Sequence, residues 1–515
     1  MPLVATQSLT PELVRATPAK DVLQIYNGLD CCVTLEVHEE LVRTHNQLPA
    51  IYDFERALQA PYLDIMLRGF RIDRIAREEA ARGLRSRIER LDTRLQRLAY
   101  AVWDRPLNPG SYKQLQDFFY GAMHLPEVWL SQKGVRKLST NREALERLEI
   151  YVHARPIIST ILAIRDLSKQ LQVFDTAIDS DGRFRTSYNI AGTETGRPSS
   201  SQNAFGTGGN AQNIAPALRY VFVADPGFKL VNIDLEQVEA RDVGFFCGCL
   251  FDDWKFLDSC ESGDLHTANA RLIWPHLPWT GDLRADRAIA SRNFYRDFSY
   301  RDMAKRGSHL SNYYGTPFTA SRHLKVPLPL MEEFQARYCR GRPANPQRGL
   351  SAITPAYPAI PRYWQWIATE LQTTHQLTTP FGRRRHFFGR PNDDTTLREA
   401  IAFLPQSTTA DRMNLGLWRV WKHLAQVQLL GQGFDSIVFQ VREALVDEVV
   451  SQALELVRVE LQSPGGRRYV VPGEAAVGWN WSYSSPTNPD GLMKWSPSQP
   501  DQRNRTRILD RIMPS

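Results

Sequence analysis

The stretch Val231-Asn232-Ile233-Asp234-Leu235-Glu236-Gln237-Val238-Glu239-Ala240-Arg241 places a carboxylate, Asp234, at the end of an apolar, strand-like run. Far downstream, Gly433-Phe434-Asp435-Ser436-Ile437-Val438-Phe439-Gln440 places a second, Asp435, at the turn between two such runs. Two rigidly held carboxylates are the donor set that two Mg²⁺ ions need to clamp the attacking and leaving oxygens of a phosphoryl transfer. Two aspartates alone would carry little weight. Between them, however, Arg301, Lys305, His309 and Tyr313 recur every four residues and so share one helix face.

Composition sets outer limits. At 515 residues the chain is too long for one hydrophobic core, so several lobes are expected, built from 42% apolar and 23% charged residues. Its 63 Lys and Arg exceed its 56 Asp and Glu, and the net charge of +7 permits a polyanionic partner without demonstrating one. The six cysteines (Cys31, Cys32, Cys247, Cys249, Cys260, Cys339) contain one Cys-x-Cys pair but no paired Cys-x-x-Cys signature, which argues against a zinc site or a disulfide framework. No apolar run reaches the length of a membrane span, and the amino terminus lacks a basic region followed by an apolar one. A reduced, cytoplasmic protein is expected, with no membrane partner.

Along the chain, a helix is expected through Tyr26, Asp30, Val33, Leu35, Val37 and Leu41, and a second over 77–98 with an apolar stripe of Leu84, Ile88, Leu91, Leu95 and Leu98. The arginines around that stripe (Arg82, Arg85, Arg87, Arg90, Arg94, Arg97) read most simply as a solvated face. Glycine-broken alternations from 181 to 233 read as strands and loops. Helical texture returns from 237 to about 375, interrupted by a proline-rich stretch at 343–361. A helix over 398–426, the hairpin carrying Asp435 and a helix from about 442 complete the pattern.

Laid out in this order, the chain resembles the family A DNA polymerases, those similar to bacterial DNA polymerase I, and particularly their bacteriophage branch. Asp234-Leu235-Glu236-Gln237-Val238-Glu239-Ala240-Arg241 looks like motif A of that family, Arg301 through Gly315 like motif B, and Phe434-Asp435-Ser436 like motif C. Thr193-Glu194-Thr195-Gly196-Arg197-Pro198-Ser199-Ser200 with Gln212-Asn213-Ile214, Phe381-Gly382-Arg383-Arg384-Arg385 and Gln406-Ser407-Thr408-Thr409-Ala410-Asp411 resemble further palm segments, and Val477-Gly478-Trp479-Asn480-Trp481 the closing strand. The resemblance covers roughly residues 49–515. It implies an α+β right hand, with an antiparallel-sheet palm and mostly helical fingers and thumb. The implied division is 1–48 as an exonuclease-like remnant with a structural role, 49–180 as the approach to the palm and the thumb, 181–240 as palm with motif A, 241–395 as fingers with motif B, and 396–515 as palm with motif C and a C-terminal segment.

The resemblance also implies roles. Asp234 and Asp435, with the Leu235 carbonyl, are expected to hold two Mg²⁺; Gln237, Glu239, His266, Arg301, Lys305, His309 and Tyr313 are expected at the deoxynucleoside triphosphate. Glu239 is expected to exclude the ribose 2′-hydroxyl, and a salt bridge to Arg241 is the plainer reading of the same residue. Thr195, Arg197, Gln212, Asn213, Arg398 and Gln406 are expected on primer-template DNA, where sequence-independent contacts suit a copying enzyme. Register on the helix selects Tyr313, rather than Tyr314, as the template-side residue.

Two departures stand out. Where the family commonly has a histidine before the motif C aspartate, this chain has Phe434, which cannot donate a hydrogen bond to the primer end, and Ser436 follows where many members have glutamate. Near the amino terminus, Tyr26 and Asp30 match only the last motif of the family's 3′–5′ exonuclease, so no proofreading is expected from this chain, and a separate exonuclease or other replication protein is a candidate partner. The expected function is template-directed DNA synthesis. A single-subunit RNA polymerase and a catalytically weak polymerase-like DNA-binding scaffold are the alternatives; Glu239 speaks against the first and Phe434 lends weight to the second.

Overall fold

Phe228–Leu235 forms the strand β1 at the centre of a five-stranded antiparallel sheet with β2 (Gln428–Gly433), β3 (Ser436–Arg442), β4 (Gly473–Gly478) and β5 (Met493–Lys494), in the order β2-β3-β1-β4-β5. This is a computed structural model, and it describes residues 18–45, 50–132, 135–295 and 298–496 together with positions 12 and 15. The start of the expected 1–48 segment and the end of the 396–515 segment lie outside the described residues. Alternation explains the sheet's position. Val231, Ile233 and Leu235 point to one face and pack with Ile437, Phe439, Val441 and Ala475 against helices. Leu230 points the other way, into a cluster with Val438, Ala476, Phe70, Phe222 and Trp481. Along this second face the strand turns polar, through buried Asn232 to half-buried Asp234.

Three groups of helices surround the sheet. α1 (Ala19–His45) precedes α2 (Ala50–Arg68), whose Leu58, Tyr62 and Ile65 enter the core behind β1. α3 (Arg74–Trp103) packs on α4 (Arg155–Asp175) in a lobe centred on Leu95, Phe118, Phe119, Ile158 and Ile161. α3 is longer than the expected 77–98 because the Asp73 side chain caps it, accepting from the Ala76 N–H at 3.0 Å, and it runs on to a left-handed Asp104. An outer helical lobe contains α5 (Val238–Phe251), α6 (Leu265–Ile273), α7 (Tyr300–Asn312) and α8 (Ala359–Thr373), joined around Trp274, Met303, Phe334, Tyr338 and Tyr363. α9 (Asp394–His423) and α10 (Val446–Val457) return to cover the sheet.

Some boundaries differ from the sequence reading for identifiable reasons. α8 begins at Ala359, inside the stretch 343–361 expected to interrupt helix, because Pro361 falls in the first turn, where a missing N–H breaks no helical hydrogen bond. α9 starts four residues early, at Asp394, since Asp393 accepts from the N–H groups of Thr395 and Thr396. In the amino-terminal segment, α1 leaves Leu23, Tyr26, Val33, Val37 and Leu41 exposed.

Behind the active strand, α5 and α9 are locked by a buried ion pair, Asp242 with Arg412 at 2.9 Å, to which the Thr409 and Tyr469 hydroxyls add hydrogen bonds at 2.9 Å each. Both charged groups are fully buried. Asp242→Ala strands the guanidinium and is expected to destabilise the protein by about 3–5 kcal/mol, read as a lower urea midpoint. Asp242→Asn, which keeps an acceptor, is expected to cost less.

Candidate active site

Asp234 stands in register between Ser436 on β3 and Glu474 on β4, so the three side chains share one face. Asp435 occupies the two-residue turn between β2 and β3, and its carbonyl accepts the Leu235 N–H at 3.0 Å. The sheet thereby brings together two carboxylates that are far apart in sequence. Their charges conflict. Burial first, and then the Asp435 and Glu474 charges, push the Asp234 carboxyl well above the usual range, with Lys305 and Arg219 opposing. Asp435 is raised by burial and by Glu239, with Arg197 opposing. Hard oxygen donors held in mutual repulsion suit a divalent cation. Among the described residues no cluster of three or more His, Cys, Asp and Glu side chains forms a closed metal cage. A site completed by substrate oxygens and water, as Mg²⁺ prefers, is the arrangement the donor set fits.

Glu239 is paired differently from the plainer sequence reading. Arg241 pairs with Glu236 at 3.1 Å, whereas Glu239 makes its ion pair with Arg197 and accepts a hydrogen bond of 2.5 Å from the Tyr313 hydroxyl. Burial and the Glu239 charge hold the Tyr313 phenol well above its ordinary value, so it remains a donor. The His309 ring meets Tyr313 edge-on at 5.0 Å. Tyr314, with φ of 63°, turns away and packs edge-on against Trp364 at 5.3 Å. The adjacent tyrosines thus face different surroundings, and it is Tyr313 that faces motif A.

Arg301 makes a two-pronged contact with Asp264, Nε to Oδ2 at 2.9 Å and Nη2 to Oδ1 at 3.0 Å. Burial disfavours the Asp264 charge, but hydrogen bonds from Arg301 and Thr267 outweigh it and hold the carboxyl at about 2. Asp264 also caps α6, accepting from the His266 and Thr267 N–H groups. His266 is pushed down to about 4, first by burial and then by the Arg301 and Lys305 charges, and its buried Nδ1 has no hydrogen-bond partner among the described residues. Lys305 is exposed on the same helix face. Gln237 takes a left-handed backbone at the start of α5, and its amide donates to Glu236 at 3.3 Å.

Among the residues expected at DNA, Asn213 and Arg398 are exposed, Thr195 and Gln406 half-buried, and Arg398 pairs with Asp394 at 3.2 Å. Gln212 is engaged within the protein: Ser200 Oγ donates to its Oε1 at 2.8 Å, and its Nε2 donates to the Gln432 carbonyl at 3.2 Å, tying the 195–213 loop to β2. Sequence reading missed three neighbours of Asp234. Glu474 is revealed only by strand register; Arg219 stacks 4.4 Å over Trp481, and Tyr483 lies within electrostatic reach of both aspartates.

Residues 78–283 match the family model of DNA polymerase family A. The chain is 27% identical over 425 residues to "DNA polymerase I, thermostable" of Thermus thermophilus, covering 78% of this chain and 45% of the relative. It is 26% identical over 490 residues to "DNA polymerase I" of Chloroflexus aurantiacus, covering 90% and 46%. It therefore spans about half the length of these curated relatives. Among solved structures it is similar to the POL domain of Pol1 from M. smegmatis, in complex with DNA primer-template and dNTP, with a TM-score of 0.63 at 20% identity over 83% of this chain and 70% of that one. The α+β architecture is thus that of a polymerase right hand. No helix among the described residues is long and apolar enough to cross a membrane.

His266 yields a pH test. Its folded value of about 4 lies below the ordinary 6.5, so the unfolded chain binds the extra proton between those two values. The stability tied to the neutral imidazole is fully present above pH 6.5 and is lost as pH falls toward 4. Wild type and His266→Gln are expected to show parallel urea midpoints above about pH 7. Below pH 6.5 the wild type should fall faster, by at most about 3 kcal/mol. Parallel curves throughout would contradict a buried neutral imidazole.

Proposed function

We propose that this chain is a template-directed DNA polymerase that adds deoxynucleotides to a primer 3′ end. The observation that carries the reading is the meeting of Asp234 and Asp435 at the polar end of the sheet, facing Lys305 on α7. The names of the family and of the relatives support the same reading. The bacteriophage affiliation rests on the motif resemblance alone. So does the assignment of the divalent ion as Mg²⁺, which Asp234, Asp435 and the Leu235 carbonyl would hold. Bound there, two such ions would supply charge stabilisation to the attacking and leaving oxygens.

The chain's own side chains account for the remaining tasks. Lys305, exposed on α7, would offer its charge to the triphosphate, and Arg301 could do so once it exchanges Asp264 for phosphate oxygens, a replacement of one two-pronged partner by another. His266, held neutral by burial and by the neighbouring cations, would offer the same ligand a hydrogen bond from its ring. Glu239 is held by Arg197 and Tyr313, and so cannot swing aside to admit a 2′-hydroxyl. Asn213 and Arg398 face solvent where primer-template would lie.

Two measurements test this. Asp234→Asn and Asp435→Asn are each expected to lower Mg²⁺-dependent primer extension by about a thousandfold or more while primer-template affinity stays near wild type. Extension at a near wild-type rate by either variant would sink the two-carboxylate assignment. Glu239→Ala is expected to raise the use of ribonucleotides relative to deoxynucleotides by at least about tenfold. An unchanged preference would leave Glu239 with only its ion pair.

A further inference from the structure

A cavity of about 940 Å³ opens at the end of the sheet away from Asp234, within the size range of small-molecule sites. Its wall includes Trp479, which follows β4, and residues 224–226, which precede β1. Gly478 pairs with Leu230 and Gly473 with Leu235, so five residues of strand, roughly 17 Å, separate the Trp479 end from Asp234. Two arginines on this wall stand where the local structure disfavours a cation. In the short strand Phe70–Ile72 the flanking side chains are buried and Arg71 is exposed, directly across from Arg183, and like charges placed opposite each other destabilise a sheet. Arg74 is the first residue of α3, at the positive end of a 30-residue helix, where an anion is preferred. Neither guanidinium makes a hydrogen bond or ion pair with another described residue. Three of the cavity's carboxylates are already committed: Asp73 caps α3, Asp181 pairs with Arg185 at 2.6 Å and Asp225 with Arg183 at 2.6 Å. Only Asp490 remains to balance two arginines. Beside them Trp479 is 37% exposed, with the Lys229 ammonium over its ring at 3.7 Å from the centre.

We propose that this cavity binds a nucleotide unit, free or at the end of a single strand, with its phosphate between Arg71, Arg74 and the start of α3 and its base on Trp479. Cations set where the fold gains nothing from them are compensated when a ligand brings the missing anion. The planar guanidinium forks fit phosphate oxygens, and the Arg74 and Ile75 N–H groups, which have no intrahelical acceptor, add donors aimed the same way. Trp479 supplies what a phosphate alone would not use, a flat surface on which any base can stack. The site lies at the far end of β1 from Asp234 and does not rest on the polymerase reading.

Calorimetric titration of the full chain in EDTA tests this with three probes: adenosine monophosphate, inorganic phosphate and a 5′-phosphorylated deoxyadenosine strand of about eight nucleotides. The double change Arg71→Gln with Arg74→Gln is expected to weaken adenosine monophosphate binding at least about tenfold. Its melting temperature is expected to be no lower than wild type within about 2 °C, because it removes two cations from places that disfavour them. Trp479→Leu is expected to weaken adenosine monophosphate about tenfold while phosphate stays within about twofold, and Trp479→Phe, which keeps a ring, to restore most of the loss. Strand binding that falls by one site in the double-arginine variant supports a strand end as the ligand; strand binding left intact supports the free nucleotide. Adenosine monophosphate binding that is absent, that survives the loss of both arginines, or that is lost in Lys305→Ala at the other end of the sheet would overturn the inference. So would a Trp479→Leu chain that loses phosphate as severely as the nucleotide, or a clear fall in melting temperature in the double-arginine variant.

Discussion

One backbone hydrogen bond, from the Leu235 N–H to the Asp435 carbonyl at 3.0 Å, closes the end of the sheet on which the rest of the site depends. It extends the register in which Asp234 faces Ser436 and Glu474. Because strand side chains alternate, a slip of one residue would send Asp234 to the back face and Ile233 to the front. Burial of both faces of β1 prevents the slip: Val231 and Ile233 are held among helices, and Leu230 among Phe70, Phe222 and Trp481. The conflict between the two carboxylates is therefore imposed by a core that cannot relax away from it. A bound cation would relieve that repulsion.

Two lines of polar contacts meet in the outer helical lobe, one from that end of the sheet and one within the lobe itself. Arg197, Glu239 and Tyr313 join the 195–213 loop, the start of α5 and the end of α7. Asp264 joins the start of α6 to Arg301 on α7. Both lines end on α7, the helix that carries Lys305. Arg301, Lys305 and the Glu239–Tyr313 contact are therefore coupled through one rigid element, and under the proposed function Arg301 would have to leave Asp264 before it could serve a phosphate. The cost of that exchange would fall on the ligand, and one with comparable two-pronged oxygens would offset it.

Much of this was legible in the sequence because the signals were local. A carboxylate ending an apolar run, a helix face repeating every four residues and a turn between two strands each follow from spacing alone. Of the adjacent tyrosines, Tyr313, which four-residue spacing selects, reaches Glu239, whereas Tyr314 packs on Trp364. What stayed hidden depends on pairing across distance. Arg241, two residues from Glu239, was the natural partner to name, yet α5 turns it toward Glu236 and leaves Glu239 to Arg197. Glu474 reaches Asp234 only through strand register, and Arg219 only through its stack on Trp481. Gln212, expected at DNA, spends its amide on Ser200 and Gln432. The left-handed backbone of Phe434, with φ of +42°, could not be read from its identity, because the sequence shows the side chain but not the sign of φ.

The most direct measurement is crystallographic: the protein with primer-template, a non-reacting deoxynucleotide and Mn²⁺, with the ions located by anomalous scattering. Two ions are expected, both held by the Asp234 and Asp435 carboxylates. Ions bound away from these two side chains, or an Asp234 that remains unliganded in the complete complex, would contradict it.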